Sequence, residues 1–257
     1  MAQIDEYVNR IDFYRQTIAR WIPDRQATIL VVGGGSNDRQ VFESLGFARV
    51  TLTNVDSVVE RTAGNEAALD AADAEELPYA DESFDYAVVH AVLHHCKSPH
   101  RALLELYRVA STAAIFFESR DSLAMRLVER VGLGNNYELS AVEANGGRAG
   151  GLRDTAVPNY VYRWTEREVE KTIASYAPHV KHVFAYAHGF GTPCQSNASA
   201  GVGINLKRLL LVAYRFFVLL FPSQQNLFAC RIDKPTIPKD LQPWIRLENG
   251  KLLFKQP

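Results

Sequence analysis

Residues 27–47 read ATILVVGGGSNDRQVFESLGF, in which a run of β-branched residues leads into three glycines and then into a helical pattern. The run at 28–32 predicts a short strand, and the pattern at 38–45 predicts a helix that stops at Gly46. Glycine-rich turns that join a strand to a helix bind phosphates, dinucleotides and other nucleosides. The stretch therefore predicts a ligand-binding turn in an α/β fold.

Apolar runs and helical patterns go on alternating after this turn. Further strands are predicted at 50–55, 68–72, 86–89 and 113–117, with helices at 57–70 and 99–109. This alternation is typical of a parallel sheet that is covered by helices on both faces. We expect a doubly wound, Rossmann-like, mostly parallel seven-stranded sheet, with its ligand at the carboxyl ends of the strands.

The sequence predicts three units. They are an N-terminal helix in residues 1–24, the α/β domain in 25–235 and a C-terminal tail in 236–257. Within the domain, residues 132–163 are rich in glycine and contain paired asparagines, which predicts a lid or substrate loop. Runs at 180–187 and 227–232 predict a terminal antiparallel hairpin, interrupted by an insertion.

The insertion, residues 203–222, is the most hydrophobic part of the chain. Its apolar run at 206–221 is shorter than the roughly 20 residues that span a bilayer, which argues against a membrane span. Lys207, Arg208 and Arg215 share one face of the predicted helix. Two alternatives stay open: a helix packed on the sheet or at a homodimer interface, and a basic helix that makes peripheral contact with a membrane.

Charge and cysteine content limit the partners and the compartment. The 28 Lys and Arg residues nearly balance the 29 Asp and Glu residues, but 66–85 contains eight acidic residues and no basic ones. Such a segment repels phosphate, so nucleic acid is not an expected partner. The three cysteines form no CxxC pair and the first ten residues contain no secretory signal. We expect a cytoplasmic protein, membrane-peripheral if the apolar helix rests on a bilayer.

The glycine turn departs from the patterns that hold phosphates. Asp38 stands where a dinucleotide turn needs glycine, no P-loop lysine follows, and an acid at the helix start opposes a pyrophosphate. The turn is therefore predicted to hold a nucleoside without phosphates. Asp56 ends the second strand, where a carboxylate accepts from ribose hydroxyls. Asp73 and the Ala74 N–H can read an adenine, and His90 faces the same crevice.

Residues 28–119 resemble the class I S-adenosylmethionine-dependent methyltransferases. The small-molecule members of this family carry D-A-E-x-L-P-[FY]-x-D-x-S-F-D followed by L-H-H, and this chain reads DAEELPYADESFD at 73–85 and LHH at 93–95. The resemblance implies S-adenosylmethionine as the cofactor and S-adenosylhomocysteine as its product. The candidate cofactor-binding residues are Gly33, Gly34, Gly35, Asn37, Asp56, Ser57, Asp73, Ala74 and His90.

This chain differs from the family pattern at two positions. Val31 replaces an acid that often precedes the first glycine, and Asn37 replaces the usual third glycine. Asp81 and Asp85 are predicted to be structural, at a turn and at the entry to a strand.

Methylation of a hydroxyl needs a group that accepts the proton. The candidate catalytic residues are His94, His95 and Glu118, and the sequence does not choose between the histidines. Four histidines within 90–100 invite a metal site. Adjacent histidines on a helix, however, cannot both face one ion, and no carboxylate lies at a ligand spacing in that cluster. No metal is therefore predicted.

The substrate is predicted to contact the lid and the segment after it. Tyr137, Tyr160 and Tyr162 would form an aromatic platform, and Arg163 would hold an anionic group. The alternative is that the aromatic side chains pack the lid on the domain and that Arg163 pairs with an acid.

The polar loop favours O-methylation of a small polar acceptor, such as a sugar or a saccharide-linked intermediate. The other hypotheses are a natural-product or quinone-type phenol or carbon methyltransferase, and a cofactor-binding pseudoenzyme that acts as a partner subunit.

Overall fold

The computed structural model describes residues 2–55, 70–132, 134–191 and 204–255, and of residues 2–9, 204–208 and 211 it describes only the backbone. The helix predicted at 57–70 lies almost wholly outside the described residues, as do Asp56 and Ser57. The strands are β1 (Ile29–Val32), β2 (Val50–Asn54), β3 (Asp70–Ala71), β4 (Phe84–His90), β5 (Ala110–Ser119), β6 (Val183–Gly189), β7 (Leu227–Asp233), β8 (Ile245–Glu248) and β9 (Lys251–Phe254).

Seven α-helices lie among the described residues. They are α1 (Ala2–Trp21), α2 (Ser36–Ser44), α3 (Pro99–Val109), α4 (Leu123–Arg130), α5 (Leu139–Ala144), α6 (Glu166–Tyr176) and α7 (Ile204–Leu220). Short 3₁₀ turns occupy Leu93–His95, Leu152–Asp154 and Pro222–Gln224.

The main sheet has seven strands in the order β3-β2-β1-β4-β5-β7-β6. Strand β1 pairs in parallel with β2 and with β4, so that the carboxyl ends of these three strands lie at one edge. Strand β7 runs antiparallel between β5 and β6. The predicted doubly wound sheet and its terminal antiparallel hairpin are confirmed, although α7 separates the two hairpin strands in sequence.

Side chains of β1 alternate between two hydrophobic cores. Ile29 and Val31 pack with buried residues of α1 and α2, including Tyr14 and Phe42. Leu30 and Val32 face the other side and pack with buried residues of α3 and α6. All four β1 side chains are buried, which explains why this strand reads as a continuous apolar run.

Two regions contain more regular structure than the sequence predicts. The lid segment contains α5 within what is expected to be loop, and the C-terminal tail contains the β8–β9 hairpin. Asn249 and Gly250, which join β8 to β9, both have positive φ. An Asn-Gly pair is a strong hairpin signal, so the sequence contained the evidence for this hairpin.

Asp85 fastens the start of β4 to the residue that precedes β1. The Thr28 N–H and hydroxyl each donate to Asp85 Oδ2 at 2.7 Å, and the Asp85 N–H donates to Thr28 Oγ1 at 3.0 Å. Hydrogen bonds from the Thr28 backbone, then from its hydroxyl, lower the pKa of Asp85. Asp85 is therefore a structural residue at a strand entry.

These bonds predict a pH-dependent stability. A carboxyl whose pKa is lowered by folding stabilises the fold above its unfolded pKa of about 3.9, and that stability is lost as pH falls through the folded pKa. Asp85→Asn should lower the free energy of unfolding by about 1 kcal/mol at neutral pH. It should also make the loss of stability below about pH 5 less steep, as measured by urea unfolding.

Asp12→Asn is the control, because Asp12 is an exposed residue of α1 that pairs with Arg15. The pH slope of this control should match that of the wild type. Equal acid slopes for the wild type and Asp85→Asn would contradict the assignment.

Candidate active site

A cavity of about 310 Å³ lies at the carboxyl ends of β1, β2 and β4, and we call it the glycine-turn cavity. Gly33 follows β1, Asn54 ends β2 and is followed by Val55, and His90 ends β4. Residues 72–75 and part of the lid, including Arg153, line the remaining wall. Doubly wound sheets bind their ligands at this edge. The structure thus brings Gly33, Asp73, Ala74 and His90 together.

The three glycines of the turn differ in how much room a side chain would have at each position. Gly33 has φ of +66°, and a Cβ there would lie 2.6 Å from both Cγ atoms of Val92. A Cβ on Gly34 would lie 2.9 Å from Val31 Cγ1, so Gly34 serves the packing of the strand. A Cβ on Gly35 would meet no described atom within 4 Å. Of the three, only Gly33 lines the cavity.

The structure does not bring Asn37 to the cavity, since its side chain is exposed on the first turn of α2. Asp56 and Ser57 lie outside the described residues. They directly follow the cavity-lining Asn54 and Val55, and their role remains a prediction.

Asp38 shapes the glycine turn. Its Oδ2 accepts from the Gly35 N–H at 3.0 Å, and its buried Oδ1 has no hydrogen-bond partner among the described residues. That oxygen lies 3.7 Å from His90 Nδ1, and Tyr14 stacks on the His90 ring at 4.3 Å. Burial, and then the charge of Asp38, raise the pKa of Tyr14. Asp38 therefore holds the turn through the Gly35 N–H, and its other oxygen lies near the histidine beside the cavity.

Asp73 contacts the lid. Its Oδ1 accepts from the Glu75 N–H at 2.9 Å, and its Oδ2 accepts from the Arg153 guanidinium, with which it forms an ion pair. Arg153 lies in the 3₁₀ turn of the lid at φ of +50°. Arg153 could not be predicted from the sequence, because no motif marks it within a glycine-rich loop.

The charges on the cavity wall fit a cationic nucleoside that carries no phosphate. Asp73, Glu75 and Asp154 line the cavity together with a single cation, Arg153, and no described lysine lines it. Gly33 and Val92, which pack too closely for a Cβ on residue 33, both line this space.

A second cavity of about 120 Å³, the lid cavity, lies under residues 135–163. Its polar lining residues are Arg10, His94, Ser119, Asn135, Tyr137, Glu138, Ser140, Arg163 and Asn226. Met125, Val161 and Leu227 supply apolar wall. Sequence reasoning missed Arg10, because nothing in the N-terminal helix pattern distinguishes a residue that reaches a site.

Three side chains, which we call the His–His–Glu cluster, join the two cavities. His95 lines the glycine-turn cavity, whereas His94 and Glu138 line the lid cavity. Glu138 Oε2 lies 3.3 Å from His94 Nε2 and 3.5 Å from His95 Nε2.

Two premises behind the prediction that no metal is bound do not hold at this cluster. The two histidines lie in a 3₁₀ turn, not in an α-helix, and their ring centroids are 4.5 Å apart with a tilt of 36°. Both rings therefore face the same carboxylate. Glu138 comes from the lid, 43 residues after His95, where no local spacing could reveal it.

The charges in the cluster shift its pKa values. Burial lowers the pKa of His94, but the charges and hydrogen bonds of Glu118 and Glu138 raise it by more, to about 9. Burial raises the pKa of Glu138, but His94 and His95 lower it by more, to about 2. Burial and the charge of His94 lower the pKa of His95. The cluster thus concentrates negative charge around its imidazoles.

Glu118 does not line either cavity, which corrects its prediction as a base. The side chain is 2% exposed, and both of its oxygens are occupied. Oε1 accepts from the Leu93 N–H at 2.8 Å, and Oε2 accepts from His94 Nδ1 at 2.6 Å. Burial raises the pKa of Glu118, but His94 lowers it by more. Glu118 is a positioning residue that acts through His94.

The predicted substrate residues divide into two groups. Tyr137 lines the lid cavity, and Tyr160 packs against it with ring centroids 5.5 Å apart. Tyr162 lines neither cavity, and its hydroxyl donates to Glu168. Arg163 reaches the lid cavity, but its guanidinium is bound to Glu129 and to the Asn135 carbonyl. Tyr162 and Arg163 therefore follow the alternative expectation, in which the aromatic side chain packs within the protein and the arginine pairs with an acid.

Comparison with known proteins adds the family. Residues 30–117 match the methyltransferase domain family. No curated protein shows significant sequence similarity to the chain. A solved S-adenosylmethionine-dependent methyltransferase from Thermotoga maritima, described as a possible histamine N-methyltransferase, is similar in fold. It is 16% identical with a TM-score of 0.51, and the match covers 90% of this chain and 92% of that one.

Two further structures share the fold. One is the complex between the Haloferax volcanii Trm112 methyltransferase activator and a methyltransferase. The matched chain is 13% identical with a TM-score of 0.55, and the match covers 90% of this chain and 92% of that one. The [4+2]-cyclase SpnF is 15% identical with a TM-score of 0.51, covering 88% and 81%. Since this fold also occurs in a cyclase, the fold alone does not define the reaction.

The sheet order and the matched segment are those of a methyltransferase domain. Residues 30–117 are thus a methyltransferase domain, and the fold around them is that of the class I S-adenosylmethionine-dependent methyltransferases, with S-adenosylmethionine as the cofactor.

The geometry of the turn predicts different effects of alanine at two glycines. Gly33→Ala should destabilise the protein by about 1–2 kcal/mol, because the residue is left-handed and its Cβ would press on Val92. It should also weaken the binding of S-adenosylhomocysteine. Thermal unfolding and isothermal titration calorimetry measure the two effects.

Gly35→Ala is the matched control for stability, since its φ is −133° and its Cβ position is open. It should unfold like the wild type. A Gly33→Ala protein as stable as Gly35→Ala would show that the turn does not depend on Gly33.

Proposed function

We propose that this protein transfers a methyl group from S-adenosylmethionine to a hydroxyl of a small polar acceptor, such as a sugar or a saccharide-linked intermediate. The observation that carries the proposal is the pair of cavities that meet at the His–His–Glu cluster. The glycine-turn cavity is assigned to the cofactor, and the lid cavity to the acceptor.

The chain's own residues would hold the cofactor at the sheet edge. Asp73 and Ala74 would contact the adenine, the turn at Gly33 would lie against the methionine and ribose part, and Asp56 would accept from the ribose hydroxyls. Arg153 would have to leave Asp73 for the adenine to engage that carboxylate, because the two are paired in this structure.

When bound, S-adenosylmethionine supplies the methyl group: the oxygen–carbon bond forms as the sulfur–carbon bond breaks, S-adenosylhomocysteine leaves, and the hydroxyl proton must be taken up. The protein's contribution is orientation, exclusion of water and removal of that proton. The His–His–Glu cluster faces both cavities and is the group of side chains placed to receive the proton. Glu118 orients His94 within it.

The lining of the lid cavity favours a hydroxyl-rich acceptor. Ser119, Asn135, Ser140 and Asn226 offer donors and acceptors, and Tyr137 adds an aromatic face. Arg10, and not Arg163 as the sequence predicts, is the lining cation assigned to an anionic group. A phenol, as in the natural-product or quinone-type alternative, would use the Tyr137–Tyr160 pair more than these polar groups.

The cofactor assignment is tested by calorimetry with S-adenosylhomocysteine. The wild type should bind one equivalent, and Asp56→Ala should weaken binding by about 10- to 100-fold through loss of hydrogen bonds to a charged group. Asp12→Ala, on the exposed face of α1, should bind normally. Unchanged affinity in Asp56→Ala would refute the ribose assignment.

The acceptor is tested with labelled S-adenosylmethionine over sugars, nucleotide sugars and phenols. Transfer to a sugar hydroxyl supports the proposal, and transfer to a phenol or to carbon supports the alternative enzyme. Binding without transfer to any acceptor would favour the pseudoenzyme hypothesis.

The surface of α7 suggests that the acceptor is attached to a lipid. Helix α7 buries Tyr214 and Val218 against α4, while most of its other described side chains are exposed and apolar. Between α4 and α7 lies an apolar groove of about 690 Å³. Met125 of α4 packs in this contact and also lines the lid cavity, so one helix separates the groove from the proposed acceptor site.

We propose that this surface makes peripheral contact with an anionic membrane. Exposed apolar side chains lie beside Arg126, Arg130 and Arg215, a combination that suits an interfacial helix. Lys207 and Arg208, which the sequence places on the same face, have side chains outside the description. No helix in the described part of the chain has the length and apolar character needed to cross a bilayer.

Vesicle flotation with phosphatidylglycerol and phosphatidylcholine tests this contact. The wild type should float with the vesicles, and Phe216→Glu with Leu220→Glu should reduce partitioning by about tenfold or more, because two exposed apolar anchors are lost. Phe254→Glu on β9 is the control, being equally exposed but distant in sequence.

The membrane contact is refuted if the wild type does not float with the vesicles. It is also refuted if the double variant only converts a dimer to a monomer in light scattering, since that result would assign the surface to a homodimer.

A further inference from the structure

In the His–His–Glu cluster, both histidines approach the same carboxylate, which a histidine pair held only by hydrogen bonds would not need to do. One ligand atom from each of His94, His95 and Glu138 can be chosen so that all three lie within 4.8 Å of one another. Two imidazole nitrogens therefore converge on a single carboxylate oxygen, at 3.3 Å and 3.5 Å. Among the described residues, this is the group of side chains that could hold a metal ion.

The other nitrogen of each imidazole is held by an oxygen. His94 Nδ1 lies 2.6 Å from Glu118 Oε2, and His95 Nδ1 lies 3.3 Å from the Gly151 carbonyl. A carbonyl and an ionised carboxylate only accept hydrogen bonds, so each Nδ1 carries the proton. Each Nε2 is thereby the ring atom directed to the space near Glu138. Histidines that bind metals are oriented by such partners.

The carboxylate is also positioned. The Glu138 N–H donates to the Asn159 carbonyl at 3.1 Å, and the Asn159 side chain donates to Glu138 Oε2 at 3.3 Å. Asn159 itself is buried. A metal ion at this position would replace the proton that His94 Nε2 shares with Glu138 Oε2 at 3.3 Å. The cluster is thus a built and negatively polarised site for a cation.

We propose that His94, His95 and Glu138 bind one divalent transition-metal ion of the zinc type at the junction of the two cavities. Two imidazoles and one carboxylate favour Zn²⁺, Co²⁺ or Fe²⁺ over Mg²⁺ and Ca²⁺, which prefer sites made of oxygen alone. Three protein ligands leave at least one further position, the pattern of a catalytic site and not of a structural one.

The role of the ion rests on the proposed function, whereas its binding does not. A cation at this junction lies beside the lid cavity, where it would bind the acceptor hydroxyl and lower its pKa; with the cluster side chains occupied as ligands, the proton would then pass to solvent. The ion would thus specify an acceptor that offers an oxygen ligand.

The test uses the untagged full chain, stripped of metal with a chelator, and two probes. Calorimetry with Zn²⁺ should show one equivalent bound, and Co²⁺ should give the visible absorption of a nitrogen- and oxygen-ligated ion, whereas Mg²⁺ should not displace Co²⁺. His95→Ala and Glu138→Ala should each abolish the cobalt spectrum. Glu118→Gln, which removes the charge that orients His94 and keeps an oxygen to accept from the Leu93 N–H, should weaken Zn²⁺ binding by about 10- to 100-fold.

His100→Ala is the matched control, because His100 belongs to the same histidine-rich segment but pairs with Glu168. It should bind Zn²⁺ and Co²⁺ like the wild type. Thermal unfolding of every variant shows whether the fold is retained, and S-adenosylhomocysteine titration of the same samples reports the cofactor site separately.

Two results overturn the proposal: a folded wild type that binds S-adenosylhomocysteine but no Zn²⁺, or Zn²⁺ binding that survives in both His95→Ala and Glu138→Ala. Failure of S-adenosylhomocysteine to bind while the cobalt spectrum forms would instead refute the proposed function and leave the metal site in place.

Discussion

The buried hydrogen bond between Glu118 and His94 holds the site together. A carboxylate that is 2% exposed is costly to bury unless its charge and lone pairs are satisfied. Glu118 meets this requirement by accepting from the Leu93 N–H and from His94, both in the 3₁₀ turn that follows β4. The end of β5 therefore fixes the turn after β4, which directs His94 toward the lid. His94 and His95 stand between the lid cavity and the glycine-turn cavity, so this hydrogen bond positions the wall that the two cavities share.

The framework could be predicted because its signals are local. The apolar run at β1, the glycines after it and the Asp-Ala pair at 73–74 each define a short element, and parallel pairing brings their ends to one edge. Helix α3 begins at Pro99, with the Ser98 hydroxyl accepting at its N-cap, as its sequence indicates. These features led to the family and its cofactor. The role of Gly33 also follows from its position, since only glycine tolerates that backbone conformation beside Val92.

The rest of the site could not be predicted because it depends on contacts between distant segments. Glu138 and Arg153 reach the site from the lid, and Arg10 from the N-terminal helix, without a motif at any of these positions. Arg163 resembles an anion-binding residue in sequence, but Glu129 and the Asn135 carbonyl occupy its guanidinium. Glu118 was identified as important, but its role required knowing that both its oxygens were occupied. Sequence reveals which side chains have suitable chemistry, whereas burial and partners decide what they do.

One loop touches both halves of the site. Arg153 pairs with Asp73, and two residues earlier the Gly151 carbonyl accepts from His95. The same short segment therefore supplies part of the glycine-turn cavity wall, through Arg153, and the carbonyl that orients His95. The cofactor site and the His–His–Glu cluster thus depend on one loop, and a substitution in this loop bears on both.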